Sequence, residues 1–139
     1  MTLVTVQVEK TYAKAKAAIL KGLVAYNRSQ IGRRKWKTIA VTVRDDAGQI
    51  VGGVTGEAWA DWLFVQLMWL DEAHRGNDHA TKAMDALEAE ARAFGAKQAY
   101  VDTFSSQARP FYEKRGYVVF GQLEGFPDEH CRFWLRKAL

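Results

Sequence analysis

The sequence predicts an α/β fold in which a mixed, mostly antiparallel sheet carries helices on both faces, and three observations predict it. Patterns follow one another in the order strand, helix, hairpin, strand, helix, strand, helix, hairpin. Asp45-Asp46-Ala47-Gly48 supplies hairpin chemistry between two short apolar segments. The stretch from Trp62 to Thr103 reads strand, helix, strand, which calls for a right-handed crossover and a parallel pair.

Taken in order, Thr5 to Val8, with Leu3 and Val4, reads as a short first strand. Ala13, Ala17, Leu20, Val24 and Ile31 then recur at helical spacing, with Lys14, Lys16, Lys21 and Arg28 on other faces. Ile39, Val41 and Val43 alternate with Ala40, Thr42 and Arg44, and Ile50 and Val51 follow the turn as the antiparallel partner. Gly52, Gly53 and Gly56 mark a bulge or a close approach in that partner. Trp62 to Leu70 is apolar on both alternating faces except at Gln66, the pattern of a central strand covered on both sides. From Ala80, a helical face of Ala83, Met84, Leu87 and Ala91 runs to a stop at Gly95, with Lys82, Asp85, Glu88 and Arg92 elsewhere. A strand at Ala99 to Thr103 and a short helix within Ser106 to Arg115, with Pro110 near its first turn and Gly116 at its end, come next. Two further strands fit Tyr117 to Gln122 and Cys131 to Lys137.

At 139 residues with 48% hydrophobic content, the chain suits one domain, residues 1–139. No apolar run approaches the length of a membrane span, and no signal-like leader precedes the fold, so a cytoplasmic protein is expected. A single cysteine, Cys131, excludes an internal disulfide, and His74, His79 and His130 form no helical ligand pair, so no metal is expected. Cys131 reads as an ordinary strand cysteine. The net charge of +4 is scattered except at Arg33-Arg34-Lys35, which gives no organised face for nucleic acid.

The segment Leu70 to Thr81 joins the most apolar strand to an amphipathic helix. Unpaired N–H groups and the dipole at a helix N-terminus, together with Arg75, suit a pyrophosphate. Gly76 permits close approach of the backbone, and Ala80 is small enough to pack against a ligand. On these residues alone, a plain helix cap at Asn77 or Asp78 with a surface arginine is an equal reading.

Arg75, Asp78 and Ala80 lie at the spacing of a cofactor signature, Arg or Gln, two residues, Gly, one residue, Gly or Ala, and the segment resembles that of the GNAT N-acetyltransferase superfamily. Asp78 departs from it by standing where the first glycine belongs. Ala108-Arg109-Pro110-Phe111-Tyr112-Glu113-Lys114-Arg115-Gly116-Tyr117 is similar to a second family segment, Ala-x-x-Phe-Tyr-x-x-x-Gly-Phe/Tyr. Ser105 stands three residues before its alanine, where members often carry asparagine that bonds the pantetheine arm.

The resemblance implies an acyl-CoA-dependent N-acetyltransferase with acetyl-CoA as donor and an amine of a small molecule or peptide as acceptor. It implies a bulge that splays the central strand from the Ala99 to Thr103 strand and opens a cofactor cleft. Met68, Trp69 and Leu70 would pair with the pantetheine amides, and the Met68 N–H would polarise the thioester carbonyl. Arg75, Gly76, Asn77, Asp78, His79, Ala80 and Thr81 would form the phosphate-facing turn, Ser105 would touch the pantetheine arm, and Tyr112 would protonate the leaving thiolate. A phenol of pKa about 10 is roughly matched to an alkyl thiol. Tyr117 and Tyr100 are weaker alternatives. Dimerisation is a family tendency.

The base is not fixed. Some members carry a glutamate four residues before the Met68 position, where this chain has Phe64. Glu57, Asp61, Asp102, Glu124 and Asp128 are candidates to act through water or to hold a cationic substrate, and Gln66 can position a water but cannot act as a base. Trp59, Trp62, Trp69, Phe104 and Phe126 read as core, with Trp59 and Phe126, near turns, as the exceptions that reach an acceptor pocket. A catalytically silent acyl-CoA sensor of the same fold is the alternative function.

Overall fold

In the computed structural model, residues 2–105 and 108–139 are described. The chain divides into two compact units, Met1–Arg34 and Lys35–Leu139.

The first unit contains α1 (Tyr12–Ile31), closed by Gly32, whose N–H donates to the Arg28 carbonyl at 2.9 Å. The helix matches its apolar spacing. The strand expected at Leu3 to Val8 is not formed: residues 2–9 have no regular structure, and Leu3, Val4, Val6 and Val8 are exposed. A β-branched run is a strand only when a neighbouring backbone completes its ladder, and among the described residues no such partner pairs with it.

The second unit is a six-stranded sheet in the order β1-β2-β3-β4-β6-β5. Its strands are β1 (Trp36–Arg44), β2 (Ile50–Trp59), β3 (Trp62–Leu70), β4 (Gln98–Phe104), β5 (Val118–Leu123) and β6 (Arg132–Ala138). The β3–β4 pair is parallel and every other pair is antiparallel. A 3-10 turn at Glu72–His74 leads from β3 to α2 (His79–Phe94), and α3 (Arg109–Lys114) follows β4. Ser106, where the last helix was expected to begin, lies outside the described residues.

The buried face of α2, formed by Ala83, Met84, Leu87 and Ala91, joins Ile39, Val54, Leu63, Val65, Val101 and Leu135 in one core. Fully burying each large aliphatic side chain contributes about 1.5–3 kcal/mol. Glu88, placed by the sequence off the helix's apolar face, is buried within the same unit. It accepts from Tyr117 Oη at 2.8 Å, Lys137 Nζ at 2.9 Å and an Arg115 Nη at 3.0 Å. Burial pushes its carboxyl up, but bonds from Lys137 and Tyr117 and the charges of Arg115 and Lys137 outweigh this and hold it below the usual range.

Two features of the sheet prepare a site. Thr55 faces Leu67 while Gly56 faces Val65, so Gln66 is an extra residue on β3, a bulge. Gly56 sits at that shift. A Cβ there would lie 2.9 Å from Leu63 Cδ1 and 3.1 Å from Leu87 Cδ1, so any side chain would force these core leucines to shift. Secondly, β3 pairs with β4 only from Trp62 to Val65, against Gln98 to Val101. Past the bulge the two strands part. This corrects the expectation of a strand covered on both sides: Leu63 and Val65 are buried, whereas Leu67 and Trp69 are exposed.

Candidate functional site

The gap between the parted strands is a cleft of about 850 Å³. One wall is Gln66 to Leu70 of β3, another is Asp102 to Phe104 of β4, and Tyr112, Ala108 and Arg132 complete the lining. An adjoining hollow of about 380 Å³ is lined by Met68, Leu70, Arg75, Gly76 and the Asp78 to Thr81 turn. Met68, Leu70, Arg75 and Ala108 line both. Past the bulge β3 pairs with no strand other than β2, so its β4-facing edge is available to an added extended segment.

The turn shows why its residues are small or polar. Gly76 has φ +85°, a backbone conformation that favours glycine whatever the space around it. Asp78, the N-cap of α2, has φ 61° and ψ 13°, the left-handed region that explains a glycine preference at this position. Aspartate is among the side chains that tolerate it best. Its carboxylate makes no capping bond, so the alternative of a plain Asp78 cap is not realised and the helix N–H groups stay open. Arg75 folds back so that Nε donates to the Leu70 carbonyl at 3.0 Å, tying the turn to the end of β3.

Tyr112 lies on α3 with 3% of its surface exposed and packs edge-on to Phe111 and Tyr117. Burial first, then the charge of Asp102, push its phenol up to about 12, against a smaller opposing effect of Arg115. It therefore stays protonated well beyond neutral pH. Tyr117 is committed to Glu88, and Tyr100 stacks on Phe64 at 4.7 Å. Neither lines the cleft. Ser105 stands at the exit of β4, where its hydroxyl accepts from the Cys131 N–H at 3.2 Å.

Among the candidate acids, Asp102 alone lines the cleft. Glu57 lies behind it, accepting from Trp36 Nε1 through one oxygen and from Gln66 Nε2 at 3.3 Å through the other. Of the aromatic set, Trp69 and Phe104 line the cleft. Trp62 and Trp69, expected in the core, are exposed like Trp59 and Phe126; Trp69 lies on the half of β3 beyond the bulge, and Trp62 at the strand's start, edge-on to Tyr100. Arg132 went unnoticed in the sequence. It sits over the rings of Phe104, Phe126 and Trp134 and pairs with Asp102, a cluster that only the β4–β6 pairing brings together. No helix among the described residues is long and apolar enough to cross a membrane.

Residues 12–117 match the family model described as Acetyltransferase (GNAT) family. An acetyltransferase of Agrobacterium fabrum (strain C58) is 36% identical over 125 residues, covering 90% of this chain and 91% of the relative. The crystal structure of an acetyltransferase from Bacillus cereus has a TM-score of 0.89 at 27% identity, covering 96% of this chain and 97% of that one. An aminoglycoside 6'-N-acetyltransferase complexed with coenzyme A shares the fold, with a TM-score of 0.64 at 19% identity over 73% and 72% of the two chains.

Proposed function

Because the chain belongs to the GNAT acetyltransferase family, we propose that it moves an acetyl group from acetyl-CoA to an amine, by direct attack with both substrates bound in the β3–β4 cleft. Acyl-CoA-dependent acetyl transfer is the family's activity and is the activity of this chain. The observation that carries the rest is the open edge of β3 from Gln66 to Leu70, running directly toward the uncapped N-terminus of α2.

The residues present fit the donor. An extended pantetheine arm carries amides that match an unpaired strand edge, and a pyrophosphate matches open helix N–H groups. Coenzyme A is bound in the aminoglycoside acetyltransferase that shares this fold. Met68, Trp69 and Leu70 hold the arm, and Arg75 with Gly76 to Thr81 holds the phosphates. Ser105, just past the end of β4, is not among the residues lining either hollow, though its hydroxyl retains donor capacity beyond the bond from Cys131.

When bound, acetyl-CoA supplies an activated thioester. The Met68 N–H donates to its carbonyl oxygen, where negative charge grows as the amine attacks. Tyr112 holds a proton at its hydroxyl for the departing sulfur. Its raised pKa keeps that proton in place at neutral pH. The same shift makes the phenol a weaker acid than one matched to an alkyl thiol, so the hydroxyl is suited to donating a hydrogen bond to the sulfur as charge develops there.

The reading is tested by incubating the protein with acetyl-CoA and a panel of primary amines while following free thiol and product mass. Amine-dependent thiol release with a product heavier by one acetyl group is expected. Acetyl-CoA binding without transfer to any amine would favour a silent sensor, and no binding of acetyl-CoA would end both readings.

A further inference from the structure

Resting on the acetyl-transfer reading, we propose that Asp102 recognises the acceptor, its Oδ1 accepting a hydrogen bond from the nitrogen of a singly charged primary amine. Asp102 is the first β4 residue beyond Val101, where pairing with β3 ends, so it stands at the point of divergence. It lines the same cleft as Met68 and Tyr112. Its charge also contributes to holding the Tyr112 phenol high, as expected of a near neighbour.

The bonding of this carboxylate is lopsided. Arg132 donates from Nε at 2.8 Å and from Nη2, and both bonds end on Oδ2. Among the described residues no donor reaches Oδ1. A carboxylate offers about four acceptor sites, and one oxygen here is left for a ligand while the other is fixed by the arginine. Glu57 provides the contrast, with each oxygen already engaged and no place in the cleft lining.

The charges of the lining define the class of amine. The lining holds one carboxylate, Asp102, and two arginines, Arg75 and Arg132, the latter already paired with Asp102. A single ammonium finds its partner there. A second or third positive charge on the same molecule finds no further carboxylate and meets guanidinium groups instead, so polyamines are selected against. Leu67, Trp69 and Phe104 offer apolar surface to the remainder of a monoamine.

The test is calorimetric and needs no turnover. Phenethylamine and spermidine are each titrated into the protein saturated with coenzyme A, using wild type and Asp102→Asn, a change that keeps shape and packing. Phenethylamine is expected to bind wild type at least about tenfold more tightly than spermidine, and Asp102→Asn to weaken it by about tenfold or more, the usual scale for a hydrogen bond to a charged group. Acetyl-CoA affinity should be the same in both proteins. Equal binding of phenethylamine to wild type and variant, no binding of it at all, or tighter binding of spermidine overturns the proposal. Failure of wild type to bind acetyl-CoA would instead sink the acetyl-transfer reading beneath it.

Discussion

Replacing Asp78 by glycine separates the two roles that a residue in the phosphate turn can have. The backbone there is left-handed, with φ 61°, and the carboxylate makes no capping bond. Left-handed geometry costs an ordinary side chain about 1–2 kcal/mol, less for aspartate, while glycine loses roughly 0.5–1 kcal/mol of unfolded-chain entropy. The two nearly cancel. Stability of Asp78→Gly should stay within about 0.5 kcal/mol of wild type, a Tm change of no more than about 3 °C at this chain length. Donor binding should improve. A carboxylate about 6 Å from a phosphate charge in water costs about 0.7 kcal/mol, twice that for a pyrophosphate, and roughly half remains after physiological screening. Acetyl-CoA should therefore bind about threefold more tightly. Asp78→Asn, which keeps tolerance of the left-handed region without the charge, should match that gain, whereas Asp78→Ala should gain affinity but lose about 1 kcal/mol of stability. Calorimetry with acetyl-CoA and urea denaturation measure both. Weaker binding by Asp78→Gly and Asp78→Asn would refute the reasoning and assign the carboxylate a positive role with the donor.

Buried groups supply three other predictions. Tyr112→Phe should lower turnover by about 10²–10⁴ while leaving the acetyl-CoA dissociation constant within about twofold; unchanged turnover would remove Tyr112 as proton donor. Glu88→Ala leaves Arg115, Lys137 and Tyr117 facing an empty pocket, and about 3 kcal/mol of stability should be lost in denaturation, against a near-neutral result if the network were solvated. Finally, burial first raises both Tyr112 and Tyr117 above the usual phenol value. The folded chain then keeps protons that the unfolded chain releases above about pH 10. That stability is complete below about pH 10 and declines as pH rises toward about 12, by up to about 1.4 kcal/mol per pH unit for each tyrosine. Urea midpoints from about pH 9 to about pH 11 read this directly, and a rising midpoint would contradict the sign.

Local signals made most of the fold legible. The Asp45 to Gly48 turn fixed the β1–β2 hairpin, Gly95 stopped α2, and the Trp62 to Thr103 stretch formed the parallel crossover. Non-local effects stayed hidden. Leu3 to Val8 has strand-like residues, but a strand depends on a partner that no local pattern specifies. Glu88 sits at a helical position that reads as solvent-facing, and only Lys137, Arg115 and Tyr117, brought in from 27 to 49 residues away, make its burial tolerable. At the site, the turn and Tyr112 were readable because they form compact motifs. The Asp102–Arg132 pair joins two strands 30 residues apart and carries no motif. The exposed apolar half of β3 was misread as core because apolar surface kept for a ligand has the same composition as apolar surface kept for packing.

The central claim is that the edge of β3 beyond the bulge holds the donor with its thioester at Met68 and Tyr112. The structure of the acetyl-CoA complex measures this directly. The acetyl carbonyl oxygen should lie about 3 Å from the Met68 N–H, with the sulfur facing the Tyr112 hydroxyl and the pyrophosphate against the turn from Gly76 to Thr81. An acetyl group bound away from Met68, or a pyrophosphate away from that turn, would contradict the account.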